Sequence, residues 1–278
     1  MKQMKKTLKK GGFTLLIGLF LLWTLFPMYW MLITSLKERS EIYRKPPSFW
    51  PLDPTAANYV KAFGAGAFGR YMMNSLFVTI IASIAAVAIA CLGGYALARI
   101  KFRGKGVVMG LLLSTQMFSL ITAMVPIYNM FSKLHLIDSL YALIICYTIS
   151  NIPFCMITIS SFFRQIPVTL EEAARIDGCS LLGAVVKITL PAMKPGLVSN
   201  FVFAFTGCWN EMFMSLMLIN RDVNRTIPAG LMGFVSKFDI NWGQMCAGSC
   251  VTLIPVILMF FLVQKHIVAG LTSGAVKE

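Results

Sequence analysis

Few residues in this 278-residue chain could do chemistry, and their spacing removes most of what they could do. The seven cysteines are Cys91, Cys146, Cys155, Cys179, Cys208, Cys246 and Cys250. None forms a C-x-x-C pair, and neither histidine (His135, His266) stands at zinc-ligand spacing from them. All but Cys179 lie in apolar runs, where a thiol acts as a small hydrophobe, so no metal site is expected. The stretch from Gly64 to Arg70 mimics the start of a phosphate-binding loop but lacks the lysine and hydroxyl that contact phosphate and magnesium. Neither Gly-x-Ser-x-Gly nor His-Glu-x-x-His is present. No catalytic residue is therefore expected, and no cofactor bound by the chain itself. One acid, Glu211, interrupts an otherwise charge-free run, and an ionisable group at such a place is costly enough to be a functional candidate. It faces a solute pathway or makes a structural hydrogen bond. A proton relay is disfavoured, since the apolar runs hold no second acid or histidine. Trp209, Asn210 and Asn151 are the other candidate pathway residues. An aromatic ring and amides can stack on and hydrogen-bond a polar solute, though amides in such runs also bridge helices.

The elements that must position these groups follow from composition. Hydrophobic residues make up 57% of the chain and charged residues 13%, against about 25% charged in soluble domains. A membrane protein is implied. The net charge of +14 then reads as basic residues flanking spans; no basic stripe interleaved with stacking aromatics suggests nucleic acid. A spanning helix needs about 20 mainly apolar residues. Six windows qualify, predicting spans near 12–36, 72–98, 107–131, 140–163, 196–219 and 243–264. The first follows a basic tail but is too long for a signal peptide and ends in Trp30, Met31 and Leu36, so it reads as retained. The expectation is an all-α, multi-pass integral membrane fold in one domain, 1–278. The basic cluster Arg99, Lys101, Arg103 and Lys105 is the firmest anchor for an orientation with both termini cytoplasmic. The first loop on the other side carries Pro46, Pro47, Pro51 and Pro54 and should be irregular.

The segment 166–195 is built too carefully for a passive loop. Thr169 and Glu172 have capping-box spacing, Glu171 and Glu172 suit a helix N-terminus, and Asp177-Gly178 reads as a stop. Ser180 can cap a second short helix with Leu181, Leu182, Val185, Val186 and Ile188 as its apolar stripe, closed by Pro191 and Pro195. An interfacial amphipathic helix usually shows lysine or arginine on its polar face. This one leads with two glutamates, which fits a cytoplasmic protein partner better.

At these residues the chain resembles a known family. Glu172-Ala173-Ala174, Asp177-Gly178 and then Ile188-x-Leu190-Pro191 resemble the EAA loop of ABC importer permeases. Tyr95 to Arg99, Trp209-Asn210-Glu211, the tail from Gly270 to Lys277, and Trp30, Ser35 and Lys37 are similar to the carbohydrate-uptake branch, and within it to the second, shorter permease of the maltose-importer type. Met212 and Met214 depart from that branch, which often has Phe and Trp there. The resemblance implies a type I permease with six spans, in a bacterial cytoplasmic membrane. It implies coupling through Glu171, Glu172, Ala173, Ala174, Asp177, Gly178, Leu190 and Pro191 to two cytoplasmic ATPase subunits, which would hold the ATP and magnesium. A second, non-identical permease and an extracytoplasmic sugar-binding protein complete the implied assembly. A non-sugar cargo such as glycerol phosphate, or an ATP-independent secondary transporter, are the alternatives.

Overall fold

The computed structural model describes residues 2–64, 67–236 and 239–273. Ala65 and Gly66 of the glycine-rich stretch, and Gly274 to Lys277 of the C-terminal motif, lie outside the described residues. Among those described the chain is helical, with one isolated antiparallel bridge, Val235–Ile240. Four helices are long and apolar enough to cross a membrane: α1 (Lys2–Ser35, its apolar part Gly12–Ser35), α4 (Ala67–Arg99), α7 (Leu140–Gln165) and α14 (Trp242–Ser273, its apolar part Trp242–Phe261). Between them come α2 (Arg39–Ile42), α3 (Ala57–Gly64), α5 (Lys105–Thr115), α6 (Leu120–Lys133), α8 (Val168–Ile176), α9 (Leu181–Ala184), α10 (Leu190–Ala192), α11 (Lys194–Asn210), α12 (Phe213–Leu218) and α13 (Ile227–Leu231).

Two of the six expected spans are not single helices. The window at 107–131 is divided into α5 and α6. At the end of α5 the hydroxyls of Ser114 and Thr115 donate back to the Leu111 and Leu112 carbonyls (2.8 and 2.7 Å). Such bonds compete with the helical ladder. Ser119 is then extended (φ −69°, ψ 125°) and α6 starts anew. The window at 196–219 is divided at Glu211 into α11 and the six-residue α12. A fifth crossing is counted when 181–192 and α11, bent by 77° at Met193, are taken as one broken span.

The chain forms two compact units, residues 1–68 with 231–253 and residues 69–230 with 254–278. In the first, the Pro-rich loop is irregular apart from α2, as expected, yet it is firmly tied. Lys37 is 2% exposed; its ammonium lies 4.8 Å from the Trp30 ring centre and donates to the Ser48 carbonyl. Asn58 donates to the carbonyls of Ser35 and Lys37 (3.0 and 2.8 Å), and the Ser35 hydroxyl meets that of Tyr59 at 2.8 Å. Burial by itself would raise the Glu41 carboxyl; the Ser48 hydroxyl, the Leu52 amide and the charges of Lys37 and Arg44 outweigh it and hold Glu41 below the usual carboxylate value. Only 6% of the apolar part of α1 is buried, so lipid or another chain must cover it.

The second unit has two apolar cores. One joins α4, α6, α7 and α12 through Val78, Phe131, Leu143, Tyr147, Met214 and Leu218. The other joins α4, α7 and α11 through Ala90, Cys155, Ile159, Phe163, Met193 and Ala204, with Leu190 and Tyr95 packed against it. This second core receives the segment 166–195. Close helix approach depends on Gly94, where a Cβ would stand 2.9 Å from Ile159, and on Gly196, where it would stand 2.5 Å from Phe162.

Candidate functional site

The segment from Ile166 is a helical hairpin, and its turn is closed by backbone geometry. Asp177 ends α8, and Gly178 follows at φ +89°. The Cys179 amide donates to the Ala174 carbonyl (2.9 Å) and the Gly178 amide to that of Arg175 (3.1 Å). This is a Schellman turn, and its left-handed residue carries no strain as glycine. Ser180 caps α9 as expected, its hydroxyl accepting from the Gly183 amide at 3.1 Å.

The start of α8 differs from expectation. Thr169 is not the N-cap: the helix begins at Val168, and Pro167 holds the capping position without a side-chain bond. Proline fixes φ near the value a helix needs and has no N–H to satisfy, so it starts the turn two residues early. The capping box is therefore absent. The far end differs too. Pro191 does not stop the second helix, which runs on from α9 through a π-turn (Val185–Thr189) into α10. Pro191 has no amide to offer the Lys187 carbonyl, and the chain widens before it, Leu190 donating to Val185. The break falls at Met193, and Pro195 sits in the first turn of α11. Along the expected stripe, Val185 and Ile188 are half-buried, while Leu181, Leu182 and Val186 are exposed.

The side chains of α8 divide into two sets. Glu172, Arg175 and Ile176 are exposed, Ile176 by 86%, as are Ala173, Asp177 and Gly178. Glu172, Arg175, Ile176, Cys179, Ser180 and Leu181 line an open concavity of about 600 Å³. Only Glu171 and Ala174 are buried on α8. Glu171 is thus not on the face it was expected to share with Glu172. Its carboxylate takes Arg99 Nε and a second guanidinium nitrogen at 3.0 Å each and the Tyr95 hydroxyl at 3.1 Å. Arg99 also donates to the Ile166 carbonyl at 2.8 Å. Helical period explains this, since 171 and 174 lie on one face and 172, 175 and 176 on the other. Leu190 and Pro191, expected to act with the loop, lie beyond the turn; Leu190 packs on the second core and Pro191 is exposed.

The candidate pathway residues separate as well. Trp209 is 1% exposed and stacks on Phe205 (5.7 Å between centroids, 10° between planes), in the interior of its unit. Asn151 bridges helices, donating to the Tyr147 carbonyl (2.8 Å) and towards Cys208 Sγ (3.3 Å). Asn210 is exposed and shares a face of α11 with exposed Gly207 and Phe203, the last edge-on to Phe154 of α7 (5.7 Å). The Glu211 carboxylate accepts from the Met214 amide (2.9 Å), and its carbonyl accepts from the Tyr147 hydroxyl (3.3 Å). An acid at this depth is thereby explained: it satisfies the amides exposed where α11 stops and α12 starts. Sequence reasoning could not separate this structural bond from a pathway role, because both need the same residue. It also missed Arg99 and Tyr95 as partners of the loop. Both belong to the motif Tyr95 to Arg99, but nothing in its spacing pointed to the loop.

The family described as binding-protein-dependent transport system inner membrane component matches residues 90–272, from the second half of α4 through the hairpin to α14. The chain belongs to this family. The permease is 34% identical over 253 residues to the sulfoquinovosyl glycerol transport system permease protein of Agrobacterium fabrum, covering 91% of this chain and 89% of that one. It is 37% identical over 275 residues to an inner membrane ABC transporter permease protein of Escherichia coli, covering 98% of each. Its fold is that of a type I ABC permease. A chain of a bacterial ABC transporter involved in the import of the acidic polysaccharide alginate superposes with a TM-score of 0.80, at 23% identity, over 91% of this chain and 94% of that one. The permease is accordingly an inner-membrane transport subunit.

Proposed function

We propose that the chain is one of two permease subunits of an ATP-driven bacterial importer for a sugar or glycoside. It forms half of the translocation path and couples it to two cytoplasmic ATPase subunits. The observation that carries this reading is the division of α8: Glu172, Arg175 and Ile176 face outward beside an open concavity, and none of the described residues covers them. An exposed isoleucine flanked by charges of both signs is the composition of a protein contact, and anionic headgroups would repel the leading glutamate. Family membership supplies the partner class. ATP and magnesium belong to those partners, since this chain has no complete phosphate-binding loop. The cargo class rests on the relative named for sulfoquinovosyl glycerol transport and on Trp209-Asn210-Glu211 as a mark of the carbohydrate branch.

In this reading there are six crossings. The third is α5 with α6, and the fifth is α11 with α12, interrupted at Glu211. Both termini are cytoplasmic, with Arg99 to Lys105 and the hairpin on that side and the Pro-rich loop outside. The second permease is non-identical, and an extracytoplasmic binding protein delivers the cargo. Phe203, Gly207 and Asn210 form the wall offered to it. Benzoylphenylalanine placed at Ile176 in the assembled complex should capture an ATPase subunit on irradiation, and proteoliposomes holding the complex should take up a labelled glycoside only with ATP. Capture of lipid alone, or uptake indifferent to ATP, would overturn the reading.

A further inference from the structure

We infer that Glu171 is not a docking contact but the anchor by which α8 is fastened to α4, so that displacement of the hairpin is delivered to that span through the Glu171–Arg99 pair. The inference rests on the reading of α8 as the docking element and assigns a positioning role to residues on its inner side.

The anchorage of α8 is unusual in what it lacks. Its larger apolar side chains do not hold it: Val168 is 47% exposed, Leu170 44% and Ile176 86%. The side chains it buries are a methyl group, Ala174, and a carboxylate, Glu171. Apolar contact through one methyl is small and non-directional, and would let a short helix slide or roll under load. The carboxylate contact is directional. One oxygen takes two nitrogens of the Arg99 guanidinium and the other takes the Tyr95 hydroxyl, with the two charged side chains 10% and 6% exposed. Of those two nitrogens, Nη2 also donates to the Ile166 carbonyl, at the joint between α7 and α8. Tyr95 stands edge-on to Phe163 of α7 (5.4 Å, 80°). The ring of contacts therefore closes on the last turn of α4, the last turn of α7 and the first turn of α8. A buried pair of this kind adds little stability over an apolar filling, but it fixes geometry, and losing one partner strands a buried charge. Among the described residues, Glu171 makes the side-chain hydrogen bonds that leave α8 for another helix.

The test compares uptake per ATP hydrolysed in the reconstituted complex. Glu171→Ala and Arg99→Ala should lower that ratio about tenfold, with hydrolysis reduced much less, because the outward face of α8 is untouched. Glu171→Asp should fall between, and the exchanged pair Glu171→Arg with Arg99→Glu should recover part of the coupling. A residue needed only for folding would instead lower complex yield, hydrolysis and uptake together at a constant ratio. That result, or an unchanged ratio in Glu171→Ala, would overturn the anchor while leaving the importer reading intact. Benzoylphenylalanine at position 171 capturing an ATPase subunit would also overturn it. A wild-type complex without ATP-dependent uptake would overturn both.

Discussion

Gly178 allows the hairpin to be perturbed without touching anything around it. Its φ of +89° is one that side-chain-bearing residues reach at a cost of roughly 1–2 kcal/mol. A Cβ added there would meet no heavy atom of the described residues within 4 Å, so the cost of a substitution is conformational and not steric. The loss should therefore follow the left-handed penalty of each residue. Asparagine, which tolerates this region, should cost least, alanine about 1 kcal/mol, and β-branched valine most. At 1 kcal/mol the population of the closed turn falls about fivefold relative to open forms. Gly178→Asp separates a second effect. Its backbone tolerance is close to that of asparagine, but it adds a negative charge beside Asp177 at the C-terminal end of α8, where the helix dipole disfavours it. It should therefore lose more than Gly178→Asn. The assay is ATP-dependent uptake by the reconstituted complex, with hydrogen exchange at the Cys179 amide reporting the turn through its bond to Ala174. A loss that grows with side-chain volume, with asparagine worse than alanine, would refute the backbone argument and require a neighbour at this position.

Two further outcomes follow from the geometry. Glu211→Ala should leave the Met214 amide without its acceptor, at a cost of about 1–3 kcal/mol read as a lower unfolding temperature in detergent, while Glu211→Gln should retain most of the stability because the amide oxygen still accepts; a glutamine variant that is stable but transports nothing would return Glu211 to the pathway. Glu41 has a lowered folded carboxyl value, so its contribution to the Pro-rich loop is complete above the ordinary carboxylate value and lost as pH falls through the lowered one. Limited proteolysis between Lys37 and Lys61 should then accelerate as the pH falls through that lowered value, and Glu41→Ala, which removes the acceptor of both bonds, should be cleaved faster already at neutral pH; equal cleavage of both proteins at pH 7 would count against the ties drawn to Ser48 and Leu52.

Features that depend on local chemistry were legible from the residues alone. Long charge-free windows announced α1, α4, α7 and α14, because about 20 apolar residues without charge have few other stable settings. Gly178 and Ser180 announced the turn and the second cap, since one backbone angle and one hydroxyl suffice for each. The motif around Glu172 announced the family. The weaker expectations were those where two local rules competed. Thr169 had the right spacing for a cap but lost to Pro167, whose ring fixes the helix start more strongly. Pro191 carried the signal of a stop, yet a π-turn absorbed its missing hydrogen bond. The window at 107–131 was apolar throughout, yet it divides between Thr115 and Leu120, next to two hydroxyls that bond back onto their own helix.

Tertiary structure alone decided which members of a motif act together. Glu171 and Glu172 are neighbours of one type in the chain, but successive helical positions turn about 100° apart, and what lies on each side differs: Arg99 and Tyr95 on one, open space on the other. Trp209, Asn210 and Glu211 are likewise adjacent, and the fold sends the first into the core, leaves the second exposed and uses the third to close a broken helix. Residue type and spacing specify the angle at which each side chain leaves its helix. The partner found there comes from segments dozens of residues away, whose positions are set by packing of the whole unit.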